Sequence, residues 1–280
     1  MISDRDTNTI YFSDRLNFDS RFKDTFALIL STLDTFSVIP KFLPNTNDVW
    51  SRDYMPIQVT DSKFVEYRFD PDYLQGHWKG CRDSKSYPDI VCDSLKLKTI
   101  KSDLVMDGGN IVKLSDCVIL TDKIVQENRF SYSKNALISK LQNTFQVNKV
   151  ILIPWYKKER FGHADGVLRF IDNETVLISH HYISDRVLLY RLKQGGLKSE
   201  FLNFKVKKQD KRNWAYINFL QTKDLILLPK FSIDEDDQAF EQISYFYPDY
   251  AKNNRIAQVC MTDIVRFGGA LNCITWTIKT

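Results

Sequence analysis

Long apolar runs are missing from this sequence. No stretch approaches the roughly 18 uninterrupted apolar residues that a membrane helix needs, and the opening "MISDRDTNTI" has no basic segment followed by an apolar one, so the pattern of a secretory leader is missing too. A cytoplasmic protein is the expectation. Cysteine is scarce: Cys81, Cys92, Cys117, Cys260 and Cys273 are odd in number and show no CxxC spacing. That argues against a disulfide framework and against a four-sulfur zinc site, and leaves free thiols. A dominant charge is missing as well. Lys plus Arg number 39 against 35 Asp plus Glu, a net +4 with the signs interspersed, so nothing demands nucleic acid or an anionic membrane. The densest basic run, "KVKKQDKR" (Lys205 to Arg212), reads as a solvated loop or strand edge.

What is present is apolar mass and a repeat. With 43% hydrophobic and 13% aromatic residues over 280 positions, the chain can bury a substantial core without disulfides or a structural metal. Length alone suggests two domains, but one unit recurs: a polar or glycine-containing turn, an apolar strand, a short polar turn, and a second strand rich in Val, Ile, Leu or Phe. The copies are "WSRDYMPIQVTDSKFVEYRF", "DGGNIVKLSDCVILTD", "GHADGVLRFIDNETVLISHH", "WAYINFLQTKDLILLP" and "FGGALNCITWTIKT". The fifth ends before its second strand and places Cys273 on the first. Asp53, Asp107, Asp165, Asn218 and Cys273 recur at intervals of 54, 58, 53 and 55 residues, read from their numbers.

Candidate helices lie between the strand pairs: "RFKDTFALILSTLDTF", "SKNALISKLQNTF" from Ser133, "SDRVLLYRLKQGG" with Ser184 as N-cap and Gly195 as its stop, and "DDQAFEQISYF". Each unit is therefore mixed, two strands with a helix and another strand. Such units cannot bury both faces alone, so they stack into an open solenoid or close around an axis. Closure is preferred, because the first strand of every unit carries polar residues in an apolar context, and a ring would bring those ends to one central cavity.

The groups thus gathered are Asp53, Asp107, His163, Asp165, Asn218 and Cys273. A thiol, an imidazole and carboxylates suit nucleophilic catalysis, since a thiolate needs a proton carrier and an environment that stabilises its charge. Singly, each has a plainer reading. A lone strand cysteine is usually a small buried hydrophobe, and Gly108, Gly109, Gly268 and Gly269 are ordinary turn formers. His163 and Asp165 form an HxD pair that would share one face of a strand and could be half of a metal site, with His180 and His181 as further ligands. Neighbouring residues on a strand face opposite sides, however, so both of those histidines cannot join it.

In order along the chain, "WSRD" (Trp50 to Asp53), "DGGN" (Asp107 to Asn110), "GHAD" (Gly162 to Asp165), "YINF" (Tyr216 to Phe219) and "GGALNC" (Gly268 to Cys273) resemble the motifs of one family. It is the agmatine deiminase and bacterial (Porphyromonas-type) peptidylarginine deiminase branch of the guanidino-group-modifying enzymes. The resemblance runs from "NDVWSRDYMPI" to the last residues. It implies a pseudo-fivefold α/β propeller of ββαβ-type repeats around a central active-site cavity. All 280 residues then form one domain, its repeats near 40–90, 91–150, 151–200, 201–250 and 251–280, with the N-terminal segment completing the ring.

It further implies a hydrolase that converts a guanidino substrate, agmatine first, to the ureido product N-carbamoylputrescine and ammonia. Cys273 matches the nucleophile, His163 the general acid and base, and Asp107 and Asp165 the carboxylates that grip the guanidinium. Asn218 matches a site amide, while Trp50, Asp53, Gly109 and Gly269 lie beside the substrate. For Asp53, an internal pair with Arg52 is the structural alternative. No metal or organic cofactor is required, no nucleic acid or membrane partner is implied, and a homodimer is left open. Peptidyl-arginine hydrolysis, amidino transfer to an amine, and a non-catalytic guanidino-binding module are the rival readings.

The sequence departs from the family pattern at Asn272, where many members have His before the nucleophile, and in "ITWTI" after it. Strand alternation would put Asn272 on the face opposite Cys273. Compact connections suggest an open mouth. "SIDEDDQAF" offers Asp234, Glu235, Asp236 and Asp237 to a distal amine if that loop reaches the cavity, or otherwise forms an acidic helix start.

Overall fold

The computed structural model describes residues 1–76, 83–157 and 159–280, so the expectation of a free thiol at Cys81 lies outside the described residues. Cys92, Cys117, Cys260 and Cys273 are free. Among the described residues no helix is long and apolar enough to cross a membrane.

Each predicted strand pair forms a hairpin. Ile57–Gln58 pairs antiparallel with Phe64–Arg68, Val112–Leu114 with Cys117–Thr121, Leu168–Phe170 with Thr175–Ile178, and Leu220–Gln221 with Ile226–Lys230. A third strand, reached through a helix, adds parallel to the second of each pair: Thr99–Val105, Lys149–Ile153, Lys198–Phe201 and Ile256–Cys260 in turn. The fifth sheet is assembled from both ends of the chain. Thr275–Ile278 pairs antiparallel with Thr9–Ser13, which pairs parallel with Lys41–Leu43. Five three-stranded sheets of one design follow, a mixed α/β architecture of the propeller type.

The helices obey their sequence periodicity. In Lys23–Thr35 the buried residues Phe26, Ile29 and Leu33 fall on one stripe, and in Lys134–Phe145 Leu137, Leu141 and Phe145 do the same. Ser133 caps the latter by accepting from Ala136 N. For Arg186–Gln194 the cap is Asp185, which accepts from Val187 N and Leu188 N; the expected Ser184 lies one residue too early. The chain leaves this helix through Gly195 and turns at Gly196, whose φ of +76° suits glycine.

The first strand of each sheet is short and buried along its length, and the connection leading into it carries the polar residues of the repeat. Trp50 to Asp53, Asp107 to Asn110, His163 to Asp165, Asn218, and Gly268 to Cys273 therefore stand in the turns and short helices ahead of the first strands, not on them. Cys273 is in the turn 271–274, because pairing with the N-terminal strand begins at Thr275, opposite Phe12. His163 likewise precedes the short helical turn Ala164–Gly166, so the period-two argument for His163 and Asp165 does not apply.

The closing strand has a stability consequence. Phe12 is fully buried and meets Phe26 edge to face, with ring centroids 5.1 Å apart. Phe12→Ala should cost about 3–5 kcal/mol in guanidinium unfolding, whereas Phe18→Ala, at a side chain 82% exposed, should change stability by less than about 0.5 kcal/mol.

Candidate active site

The five turns converge. Cys273 Sγ lies 3.3 Å from Asn218 Oδ1, which also accepts from Cys273 N at 3.3 Å, and 3.9 Å from Asp165 Oδ2. His163 Nε2 lies 2.9 Å from Asp107 Oδ2, and its Nδ1 is 3.6 Å from Asp53 Oδ1. Asp53 Oδ1 in turn accepts from Gly109 N at 3.1 Å. Glycine is required there: a Cβ on Gly109 would stand 2.5 Å from His163 Nδ1 and 2.6 Å from Asp53 Oδ1. Gly269 is needed for a similar reason, since a Cβ would stand 2.2 Å from the Trp50 ring.

Two chambers open onto this cluster, with volumes of about 260 and 310 Å³, and both are lined by Arg160, Phe161, His163, Gly268 and Cys273. Trp50, Asp48, Asp53 and Gly269 line the first, while Asp165, His181 and Trp214 line the second. The thiol and the imidazole thus share a cleft, with Asp53 on the side of the first chamber and Asp165 on the side of the second.

Electrostatics sort the roles. Burial alone would depress the His163 imidazole, but Asp53 and Asp107 outweigh it and raise it to about 9. Burial pushes Asp53 up to about 7, with His163 holding it down and Asp107 and Asp165 pushing it further. For Asp107 burial is outweighed by its hydrogen bond and charge attraction to His163 and by Lys123, so it stays ionised. Burial, then Asp165 and Asp53, drive the Cys273 thiol well above its ordinary 9. The resting cluster therefore holds an imidazolium and a thiol.

Several residues here have no signal in the repeat. Lys123, completely buried, donates to Asp107 Oδ2 and to Phe161 O, each at 2.9 Å, and lies 3.3 Å from Glu127 Oε1. Only the ring topology brings it in, from the start of the helix Lys123–Glu127. Asp107 lines neither chamber; its Oδ2 is shared by His163 and Lys123, and its Oδ1 is buried without a partner. Asn272 sits in a turn, so the alternation argument fails: its Nδ2 donates to Asp165 Oδ2 at 2.7 Å, on the site side. Asp53 makes no pair with Arg52, whose Nη1 faces Asp4 instead at 3.4 Å. The acid run stays away from both chambers: Glu235 accepts from Asp210 N, and Asp236 from Tyr216 Oη, Phe231 N and Ile233 N. His181 Nε2 is 2.6 Å from Asn213 Oδ1, and His180 does not line either chamber.

A ring of five sheets with a buried thiol, imidazolium and carboxylates around a shared cleft defines a guanidino-modifying propeller hydrolase. The sequence model of the Porphyromonas-type peptidyl-arginine deiminase family matches residues 6–278, and the chain belongs to that family, a hydrolase acting on carbon–nitrogen bonds of linear amidines. A putative agmatine deiminase of Mycoplasma capricolum subsp. capricolum is 24% identical over 279 residues, covering 82% of this chain and 74% of the relative. One from Enterococcus faecalis is 26% identical over 281 residues, with the same coverage. Among solved structures, the agmatine deiminase of Enterococcus faecalis superposes with a TM-score of 0.74 at 18% identity, over 99% of this chain and 94% of that one. A cysteine-to-serine form of C. jejuni agmatine deiminase with substrate bound gives 0.75 at 18% identity, over 100% and 96%.

The His163 environment makes a pH prediction. A group whose folded value is raised adds stability that is complete below its unfolded value, ordinarily 6.5, and is lost as pH rises through about 9. The stability difference between the native protein and His163→Gln should therefore shrink by about 3 kcal/mol between pH 6 and pH 9.5 in urea unfolding. An imidazole titration followed by NMR should show its midpoint near 9.

Proposed function

We propose that the chain is a cysteine-dependent deiminase of a small guanidino compound, agmatine first, acting through a covalent S-amidino intermediate. The observation that carries this is the junction itself: Cys273 and His163 face both chambers, with Asp53 on one side and Asp165 on the other. A guanidinium is planar, cationic and resonance-stabilised, so it must be oriented and given a strong nucleophile. Asp53 and Asp165 supply charge-assisted hydrogen bonds from opposite sides. Asp107, held by Lys123 and His163, acts on the imidazole and not on the substrate.

The bound cation stabilises the thiolate of Cys273, which the same carboxylates otherwise disfavour, so the nucleophile forms only when substrate is present. The thiol proton leaves to solvent, and sulfur bonds to the guanidinium carbon. His163, already protonated, passes its proton to one amino group, the C–N bond breaks, and ammonia departs. Neutral His163 then takes a proton from water as hydroxide adds to the amidino carbon. The C–S bond breaks, the hydroxyl proton returns to sulfur, and the ureido product is released.

Agmatine is supported by the relatives named above, and Asp48 offers the first chamber a carboxylate for a distal ammonium. Burial raises that carboxyl to about 8, and an ammonium beside it would favour the ionised form. A second reading rests on Arg15 and Arg160, which also line the first chamber and form no ion pair among the described residues. They favour a substrate bearing a carboxylate, such as free arginine or an arginine peptide.

Ammonia release by the purified protein from agmatine, free arginine and an arginine-containing peptide tests these readings. Turnover of at least one is expected, falling to background in Cys273→Ala and by about 10²–10³-fold in Asp165→Asn. Preference for agmatine supports the first reading and preference for arginine the second. Unchanged release from Cys273→Ala would end both.

A further inference from the structure

The second chamber is larger than its part in the proposed reaction requires. With the substrate's tail in the first chamber beside Asp48, the nitrogen that departs lies on the side of the second. Ammonia is about the size of one water, whose share of the liquid is roughly 30 Å³. The second chamber holds about 310 Å³ against about 260 Å³ for the first, and both reach Cys273 and His163.

The lining of the second chamber fits an apolar group. Phe161, Tyr182 and Trp214 supply aromatic surface, and Gly162, Gly166 and Gly268 add no side chains to obstruct it. Its polar groups are exposed or already engaged. Glu159, Arg160 and His181 are exposed, the Tyr182 hydroxyl donates to Glu159 Oε1, and His181 Nε2 lies 2.6 Å from Asn213 Oδ1. Asp165 is buried, and its Oδ2 lies 3.9 Å from Cys273 Sγ, so it marks the inner end where a guanidinium would sit. Aromatic walls with a carboxylate at the inner end suit a small alkyl group carried on a cationic nitrogen.

We propose that the protein also accepts guanidino compounds substituted on two nitrogens, with the longer tail in the first chamber and a small alkyl group in the second, and releases the alkyl group as a primary amine. The proposal rests on the deiminase reading above and uses the same steps. Sulfur bonds to the guanidinium carbon, the bond from that carbon to the alkyl-bearing nitrogen breaks, and the nitrogen keeps the electron pair, takes the His163 proton and departs as the amine. The S-amidino intermediate left on Cys273 is the one an unsubstituted substrate gives, so water completes the reaction to the same ureido product. A larger leaving group needs more room and no new catalytic residue.

Gly166 sets the width of the second chamber and lines only that one. Its φ is not positive, and a Cβ there would stand 3.9 Å from the Trp214 ring, an ordinary contact, so a larger side chain would narrow the chamber without backbone strain.

The test compares the parent compound that is turned over, agmatine or arginine, with its forms bearing methyl or propyl on a terminal guanidino nitrogen. Mass spectrometry of the products should find methylamine and propylamine beside the ureido product of the parent, with kcat/KM for the methyl compound within about 10-fold of the parent. In Gly166→Val, kcat/KM for the propyl compound relative to the parent should fall by about 10–100-fold. Three results would overturn the proposal and leave the deiminase reading standing: turnover of the parent without turnover of either alkyl compound, ammonia released with the alkyl group kept on the urea, or an unchanged ratio in folded Gly166→Val. Should that variant fail to fold, the products of the native protein decide alone. Failure to turn over either parent would end both readings.

Discussion

Pairing of Thr9–Ser13 with Thr275–Ile278 on one side and Lys41–Leu43 on the other converts a row of sheets into a ring. Without it the fifth sheet has one strand, and the turn that carries Cys273 has nothing to define where it ends. With it, the turn is drawn between two neighbours: Asn272 N donates to Asn218 O at 3.1 Å, and Arg52 N donates to Cys273 O at the same distance. The thiol's position is therefore a product of ring closure more than of the glycine pair before it. Gly268, at φ +88°, serves to bring the chain past the Phe161 ring, which a Cβ would meet at 2.7 Å.

Closure concentrates charge, and the charges explain each other. Asp53, Asp107 and Asp165 are buried together, Asp107 and Asp165 both disfavour ionisation of Asp53, and His163 and Lys123 are the cations in contact with Asp107. Burial, with Asp165 and Asp53, keeps Cys273 a thiol. In the proposed mechanism, substrate binding and nucleophile activation are one electrostatic event, which limits the time a reactive thiolate spends without its target.

The hairpins, the fivefold repetition and the site motifs were legible because each rests on local pattern: turn residues between apolar runs, helical stripes at Phe26, Ile29 and Leu33, and short motifs at near-constant intervals. What escaped was set by contacts between units. Whether residue 273 lies on a strand or ahead of it depends on where the N-terminal strand begins to pair, which no local pattern reports. Asn272 was misplaced for that reason, and its contact with Asp165 followed only from the turn. Lys123 was invisible for another: a lysine after a strand in "LTDKIV" reads as a solvated helix start, and only the arrangement around Asp107 makes it a buried partner. Asp4 is a similar case, an unremarked acid that reaches cations from three different units.

Lys123 and Asp4 expose a common design. In a ring whose inner strands are short and buried, charged side chains entering the axis cannot reach water and must find partners from other units. At the chamber end, Lys123 neutralises Asp107, and Asp107 orients His163 through Nε2. By donating also to Phe161 O, Lys123 ties that pair to a residue lining both chambers, so displacing the Phe161 segment would disturb the imidazole's partner. At the other end, Asp4 holds Arg52, and Arg52 holds the carbonyls of Asn272 and Cys273. His163 and the Cys273 turn are thus each held by a buried ion pair drawn from a different part of the chain. The two pairs meet in the sequence at adjacent residues: Arg52 faces Asp4, and Asp53 faces His163. A displacement of that one short helix, Ser51–Tyr54, would therefore reach His163 and the Cys273 turn at once.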